Sequence, residues 1–587
     1  MSNLDFSLER LERSGLIRLA QLEPEIEYLF KHALFQETAY GMMVRNQRKA
    51  LHRQVGESLE ALYPDRREEL AATLAHHFAE GGDSQKALRY FTQAGDEAAR
   101  RYATGEAIIH FSRALQIIEQ GAQASPEMIE HLYMARGRAY ELAQQYAEAL
   151  ANYVEMNATS TRRGLRKMEL NSLTARATLL SLPTTVQNAI ESRKMLEQAR
   201  ALAHELNDPT TESRVLWTLL LNILYTGGDP QEGVAYGLQS LDLARQHDLR
   251  EQIAFTQHDL IRMRSAAGDN DSAHLAFTEA ASLWRELNNL PMLADSHNAV
   301  AMMDAYDGQL SRAMPIAQEG RRLANEVGDV WSMASNNWLV GRILFEQGQI
   351  SMAIRDISDS VAASVPIGHP IAAFTSADLG TIYAFVGDHE TGIALCERAI
   401  QLTRGSAVPL VQRLGPWPYA VKARFYAQTG QLDNADAVIA QSASMDVTDI
   451  PGLAPLSVHV RLARIEIALA RQLWGPAVVV CDELIAHLRD HRLRLWLPET
   501  LLLKGRALLG AERADEAAET LASARQIAEQ QGAIRLIGPI LSRLAEAMRG
   551  DESQAGALRA EALRARQQLA AAIDEPELKA RFMALSE

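Results

Sequence analysis

The sequence predicts an all-α protein, a right-handed α-solenoid of stacked helical hairpins, on three observations. Glycines recur at Gly228, Gly268, Gly308, Gly348, Gly387 and Gly430, in steps of 40, 40, 40, 39 and 43 residues. Each interval carries a run of helical periodicity on either side of its glycine, and a fixed period of this length marks a repeated supersecondary unit. Columns of mostly small residues keep step with the glycines: Ile261, Ala301, Gly341, Gly380 and Ala423 seven before, Ala273, Ala313, Ala353, Gly392 and Ala435 five after, and Ala280, Gly320, Ser360, Ala399 and Ser442 twelve after. Helices that cross closely need small side chains at the crossing, because a larger one holds the backbones apart.

Composition agrees with such an array. Of the 587 residues 47% are apolar and only 6% aromatic, as suits helices packed through alanine and leucine. A net charge of -15 argues against a nucleic-acid binder, whose contact face is basic. The two cysteines, Cys396 and Cys481, fall in different repeats, so free buried thiols and a reducing, cytoplasmic setting are expected. The amino terminus lacks a basic region followed by an apolar core, and nowhere do 18 apolar residues run together; neither export nor membrane insertion is expected.

In chain order, residues 1–64 differ from the rest. Phe6 to Ser14 predicts a short helix, and Leu16–Leu19 and Ile26–Phe30 alternate apolar and polar as a small hairpin does. Residues 65–573 predict about twelve or thirteen helical hairpins, most regular over 209–443. The early ones are expected as Leu70–Ala79 with Ser84–Ala94, Gly95–Tyr102 with Gly105–Glu119, Met128–Leu142 with Tyr146–Met156, and Leu165–Leu182 with Thr185–Glu205. Pro409, Pro416 and Pro418 break the rhythm at Gly405–Pro418, and a second break is expected at Met445–Pro455. Beyond it come Leu456–Ala470 with Pro476–Leu488, Pro498–Leu509 with Ala514–Gln530, and Ile537–Met548 with Ser553–Ala572. In residues 574–587, Glu575 and Pro576 open a last short helix expected to cap the final repeat.

The column pattern resembles the tetratricopeptide repeat, although the units run to about 40 residues where that family has 34. Where the family favours tryptophan, four before the small column, stand Gln257, His297, Asn337, Ser376 and Tyr419. The helix and hairpin of the first 30 residues look like the end of a winged-helix module. Tyr28, Phe30, His32, Ala33, Leu34, Glu37, Ala39 and Tyr40, followed by Arg48, Leu51, His52 and Val55, resemble the junction between ATPase core and repeats in bacterial multidomain signalling ATPases, including adenylate-cyclase-linked and transcription-factor-linked members.

Chemistry beyond binding is not signalled. The sequence contains no G-x-x-x-x-G-K-[ST] phosphate loop, H-E-x-x-H or G-x-S-x-G, and adjacent His76 and His77 are expected to point apart on a helix; no enzyme, metal or cofactor is expected. The resemblance implies that each first helix lines a concave face. Positions ten and six before the turn glycine share one side of that helix and give His258, Asn298 and Trp338, then Arg262, Met302, Arg342, Thr381 and Arg424. Arg262, Arg342 and Arg424 suit an extended acidic or carboxylate-bearing partner; the other reading is solvated charge balanced by Asp259, Asp295 and Asp304. On the first reading these side chains serve capture and leave stability almost untouched. The polar column of Gln257, His297, Asn337 and Ser376 either bonds neighbouring hairpins together or lines a pocket. The basic run Arg45–Arg53 contacts either phosphate or another part of the protein. The expectation is thus a non-enzymatic interaction scaffold or sensor arm of a signalling ATPase, taking a peptide, protein or effector on its concave face. The alternative is the regulatory region of a transcription activator or nucleotide cyclase.

Overall fold

The computed structural model describes residues 3–21, 27–443, 454–548 and 550–585, and the expected break at Met445–Pro455 lies mostly outside them. The chain divides into two compact units, Met1–Ser172 and Leu173–Glu587.

The first unit opens with α1 (Asn3–Arg13) and the antiparallel pair β1 (Ile17–Gln21) and β2 (Glu27–Phe30), in which Ile17 faces Phe30 and Leu19 faces Tyr28. Then follow α2 (Ala33–Met42), α3 (Arg45–Leu62), α4 (Ala71–Glu80), α5 (Ser84–Arg100), α6 (Thr104–Glu119), α7 (Pro126–Leu142) and α8 (Tyr146–Arg163), while α9 (Arg166–Ser181) runs across the division. Several boundaries differ from expectation: α8 runs seven residues past Met156, the helix expected from Thr185 begins at Ala189, and Gly95 does not end a helix. A Cβ at Gly95 would stand 2.5 Å from the Phe111 ring, so its missing side chain lets α5 pass close over α6. The basic run lies on α3, which packs on α4 through Gly56 against Phe78, and Arg48 lies over the Tyr40 ring. His76 and His77 do not point apart in effect, because both rings contact His52, at centroid distances of 5.5 and 5.1 Å.

The second unit continues with α10 (Ala189–Glu205), α11 (Pro209–Thr226), α12 (Pro230–Gln246), α13 (Arg250–Ala266), α14 (Asn270–Glu286), α15 (Leu290–Tyr306), α16 (Leu310–Val327), α17 (Val330–Glu346), α18 (Ile350–Ser364), α19 (Ala372–Phe385) and α20 (His389–Gly405). The prolines then yield the short α21 (Pro409–Arg413) before α22 (Pro416–Gln428), α23 (Leu432–Ala443), α24 (Ala454–Ala470), α25 (Trp474–Asp490), α26 (Leu497–Gly510), α27 (Ala514–Gln531), α28 (Ile537–Ala547), α29 (Glu552–Ala571) and α30 (Pro576–Ala584). This is the expected α-solenoid of tetratricopeptide-like hairpins.

The turn glycines have a definite mechanical role. Gly268, Gly308, Gly348, Gly387 and Gly430 all adopt φ between 75° and 86°, which glycine accepts without strain. The next amide in each case returns to a carbonyl five residues back, as Gln309 N to Asp304 O at 2.8 Å and Asp388 N to Tyr383 O at 2.8 Å, closing the first helix. In the first repeat the left-handed residue is Gly227 and not Gly228, so the column begins one position earlier than the glycine spacing indicates. Twenty residues after the Gly268, Gly308 and Gly348 turns comes a second left-handed turn, carried by Asn288, Gly328 and Gly368, with Asp248 the counterpart in the first repeat. The glycine count alone does not reveal it.

The small columns meet as expected. A Cβ on Gly380 would lie 2.9 Å from the Gly392 carbonyl oxygen, and one on Gly341 would lie 2.6 Å from Ile357 Cγ1. Ala301, Ala313, Ala353, Ala399 and Ala435 are fully buried. Three members of the polar column bond within their own hairpin or helix: Gln257 donates to Glu279 on the partner helix α14, His297 to Leu293 O and Ser376 to Ala372 O, while the His297 ring also meets Phe277 of the preceding hairpin edge-on.

Within this unit the later hairpins pack onto the earlier ones. Tyr306 contacts Trp496 at 5.2 Å between centroids, Phe385 contacts Phe582 at 5.6 Å, and the Asp574 amide donates to Ser351 Oγ at 2.8 Å. Helix α30 was expected to cap the last repeat, and it also reaches back some 190 positions to the α19–α20 hairpin, where Arg581 pairs with Asp388 at 3.0 Å. Buried Leu578 and Phe582 give it the apolar side needed to bridge the two.

Candidate functional site

The first helices α13, α15, α17, α19 and α22 carry the residues singled out by spacing. The ten-before column turns toward the next first helix. His258 places Nδ1 2.8 Å from Ser296 Oγ, and Trp338 Nε1 donates to Asp378 Oδ2 at 2.9 Å. With the first repeat aligned on Gly227, Trp217 joins that column and likewise donates to Asp259, at 2.8 Å. Asn298 is buried, its amide nitrogen without a partner among the described residues, and Trp338 is 2% exposed, so it offers no open stacking surface.

The six-before column is neither a free ligand surface nor a row of solvated charges. Arg262 donates to Asp295 Oδ1 at 2.8 Å and also meets His258 Nε2 at 2.8 Å. Burial opposes charge on Asp295, but the Arg262 guanidinium and the His258 ring outweigh it and hold the carboxyl far below its usual range. Asp259 and Asp295 are thus partners of Arg262, whereas Asp304 belongs to Arg312 and His274. Met302 is half-buried and, with Arg262, borders a cavity of about 160 Å³. Thr381 donates to its own helix at Ala377 O.

Arg342 and Arg424 enter a chain of charges that spacing could not reveal. Arg342 pairs with Glu346 at 3.1 Å; Arg535 grips Glu346 with Nε at 2.8 Å and reaches Glu499 with Nη2 at 2.8 Å. Glu499 accepts in turn from Arg424 at 2.5 Å, and Glu466 lies between Arg424 at 3.6 Å and Arg506 at 3.3 Å. Arg535 sits on the single 3₁₀ turn Ile534–Leu536, with its guanidinium 4.8 Å from the Phe345 ring centroid. Burial works against charge on Glu499, yet Arg424 and Arg535 hold its carboxyl well below the normal range. An extended peptide lying along Arg262, Arg342 and Arg424 has no free guanidinium column to meet. Glu346, Glu466, Glu499, Arg506 and Arg535 are the residues that sequence spacing missed. Arg342, Arg424 and Thr381 nevertheless line one cavity of about 190 Å³, together with His459, Phe345 and Trp496.

Buried histidines give this unit a pH dependence, with His297, His369 and His459 all lowered by burial. Burial, and then the Arg342 and Arg424 charges, push His459 well below its ordinary value; burial pushes His369 down to about 4, with Asp295 pulling the other way. Each therefore takes its proton first in the unfolded chain, so stability falls as pH drops below about 6.5, by about 1.4 kcal/mol per unit for each fully depressed group. The midpoint of urea denaturation is expected to fall between pH 7.5 and 5.5, and to fall less in His459→Phe. A flat profile contradicts this assignment.

Among the described residues no helix is long and apolar enough to cross a membrane, and no group of three or more His, Cys, Asp or Glu could hold a metal. Cys396 and Cys481 are buried and unpaired, and burial pushes the Cys481 thiol up to about 12.

Comparison with known proteins gives fold-level likenesses. The chain is similar to a chain of the APC/C hetero-tetramer Cut9-Hcn1, at 14% identity and a TM-score of 0.45 over 93% of this chain and 97% of that one. It is also similar to a Rap protein complexed with competence and sporulation factor, at 9% identity and 0.42 over 76% and 98%. A third likeness is to aspartyl phosphate phosphatase F from Bacillus subtilis, at 14% identity and 0.40 over 62% and 94%. No curated protein matches the sequence. The family model described as the MalT-like TPR region matches residues 218–550, more than half of the chain, and its span takes in the turn glycines, the small columns and the arginine network described above; the chain belongs to that family.

Proposed function

We propose that the chain is a non-enzymatic interaction scaffold, the sensor arm of a signalling ATPase, and that it docks through its amino-terminal elements. The observation that carries the reading is the number of exposed apolar side chains along α1 to α3. Leu4, Phe6, Leu34, Met42, Val44 and Leu62 all stand in solvent, Met42 at 81% and Leu34 at 70% exposure. Apolar side chains exposed in such number over one stretch mark a protein-interaction surface. The same stretch carries the junction pattern from Tyr28 to Val55, and α1 with the β1–β2 hairpin fits the end of a winged-helix module. The repeats then serve as the arm that receives a signal, in a reducing cytoplasmic setting that keeps Cys396 and Cys481 as thiols.

The test is affinity purification of the full chain from its native cells. Wild type is expected to recover a phosphate-loop ATPase, and Leu34→Asp/Met42→Asp to lose it while keeping its helical spectrum. Calorimetry of the purified chain alone with ATP and magnesium is expected to show no heat. Recovery of a cyclase or DNA-binding module in the ATPase's place supports the regulatory alternative; recovery unchanged by the double variant, or ATP turnover by the chain itself, overturns the reading.

A further inference from the structure

The network of Arg342, Arg424, Arg506 and Arg535 with Glu346, Glu466 and Glu499 contains four guanidinium groups and three carboxylates. Guanidinium groups outnumber carboxylates by one, and Arg506 is the most open of the four, at 37% exposure. The nearby Asp378 does not cancel the surplus fully, since burial raises its carboxyl toward the neutral form while Trp338 holds one oxygen. Beside this surplus lies the cavity of about 190 Å³.

Two of its lining side chains have hydrogen-bonding capacity left unused. His459 is 4% exposed, and neither its Nδ1 nor its Nε2 has a hydrogen-bond partner among the described residues. Its ring is fixed by stacking on Trp417 at 4.1 Å and by the edge contact with Trp496 at 5.8 Å. Arg424 spends Nη2 on Glu499, yet its buried Nε is also without a partner among the described residues. Buried polar groups are ordinarily satisfied, so three unused atoms on two residues lining one cavity point to something that normally fills it.

We propose that this cavity binds a small monocarboxylate with an apolar body of about the size of benzoate. One carboxylate oxygen accepts from Arg424 Nε–H and the other from the N–H of His459, and the neighbouring guanidinium groups favour its negative charge. The body fits among Phe345, Phe425 and Trp496; a cavity of roughly 150 Å³ already accommodates benzene. A dianionic phosphate overshoots the charge, and a polyol cannot satisfy its hydroxyls against aromatic walls. Entry is provided by a second cavity of about 430 Å³, which shares Gln428, Arg506 and Arg535 with the first. Gln428 is exposed at the common mouth.

The site needs no partner protein, so its test fails or succeeds separately from that of the docking surface. The full chain is titrated calorimetrically with benzoate, with acetate and benzyl alcohol as probes lacking the body and the charge. Benzoate is expected to bind one to one, and each control at least tenfold more weakly. His459→Phe preserves the aromatic stack but removes both nitrogens, and is expected to weaken benzoate tenfold or more. In wild-type protein labelled with ¹⁵N-histidine, the ring signals of His459 are expected to move on titration, a readout that needs no variant. No saturable heat up to about 10 mM benzoate, equal binding of benzyl alcohol, or His459 signals that stay in place would each overturn the proposal.

Discussion

Arg535→Leu is expected to destabilise the second unit by about 1–3 kcal/mol, the cost of leaving two buried carboxylates each with one donor group fewer. Glu346 is 0% exposed and takes two of its three contacts from Arg535; after the change it keeps only Arg342. Glu499 keeps Arg424 and loses its second cation. Urea denaturation followed by circular dichroism measures the loss. The double variant Glu346→Leu/Arg535→Leu is expected to recover part of it, since replacing a buried pair by apolar groups is often close to neutral. Because the bridge joins α17 to a turn 189 positions later, amide exchange is expected to quicken in α28 to α30 before the earlier hairpins. An unchanged denaturation midpoint in Arg535→Leu would show that the bridge contributes nothing to closure.

Gly380→Leu is expected to cost about 3 kcal/mol or more, at or beyond the upper end of ordinary overpacking. Its new Cβ would meet the backbone oxygen of Gly392 at 2.9 Å, and a backbone cannot turn aside as a side chain can. Ala313→Leu and Ala353→Leu, buried in the adjoining column, are expected to cost about 1–3 kcal/mol each. Gly556→Ala provides the opposite case: nothing lies within 4 Å of its added methyl group, and in the second turn of α29 the change is expected to stabilise by about 0.5–1 kcal/mol. Thermal melts of the four variants should fall in that order. Equal melting points for Gly380→Leu and wild type would refute the close crossing of α19 and α20.

What was legible in the sequence is what depends on near neighbours. The turn glycines, the small columns and the β1–β2 hairpin each satisfy a local requirement of backbone conformation or crossing distance, so the residue type records it. Gly95 was misread because a glycine needed for close packing looks the same in sequence as one that ends a helix; only the Phe111 ring tells them apart. The second turn stayed hidden because Asp248, Asn288 and Gly328 all tolerate a positive φ, and three residue types do not make a visible column. The inner face was the largest omission. Arg424 finds Glu499 75 positions away and Glu346 finds Arg535 189 positions away, and helical periodicity carries no information over such distances.

The Glu346–Arg535 bridge has a consequence for how this protein can change. An open solenoid gains or loses a hairpin without harm, because each unit touches only its neighbours. Here Phe385 must still meet Phe582, and Glu346 must still meet Arg535. Duplicating or deleting one 40-residue unit between α20 and α27 would carry every later side chain one step past its mate, separating all of these pairs at once. The array is therefore bound to a fixed number of hairpins, and its length can drift only outside the span that closes on itself.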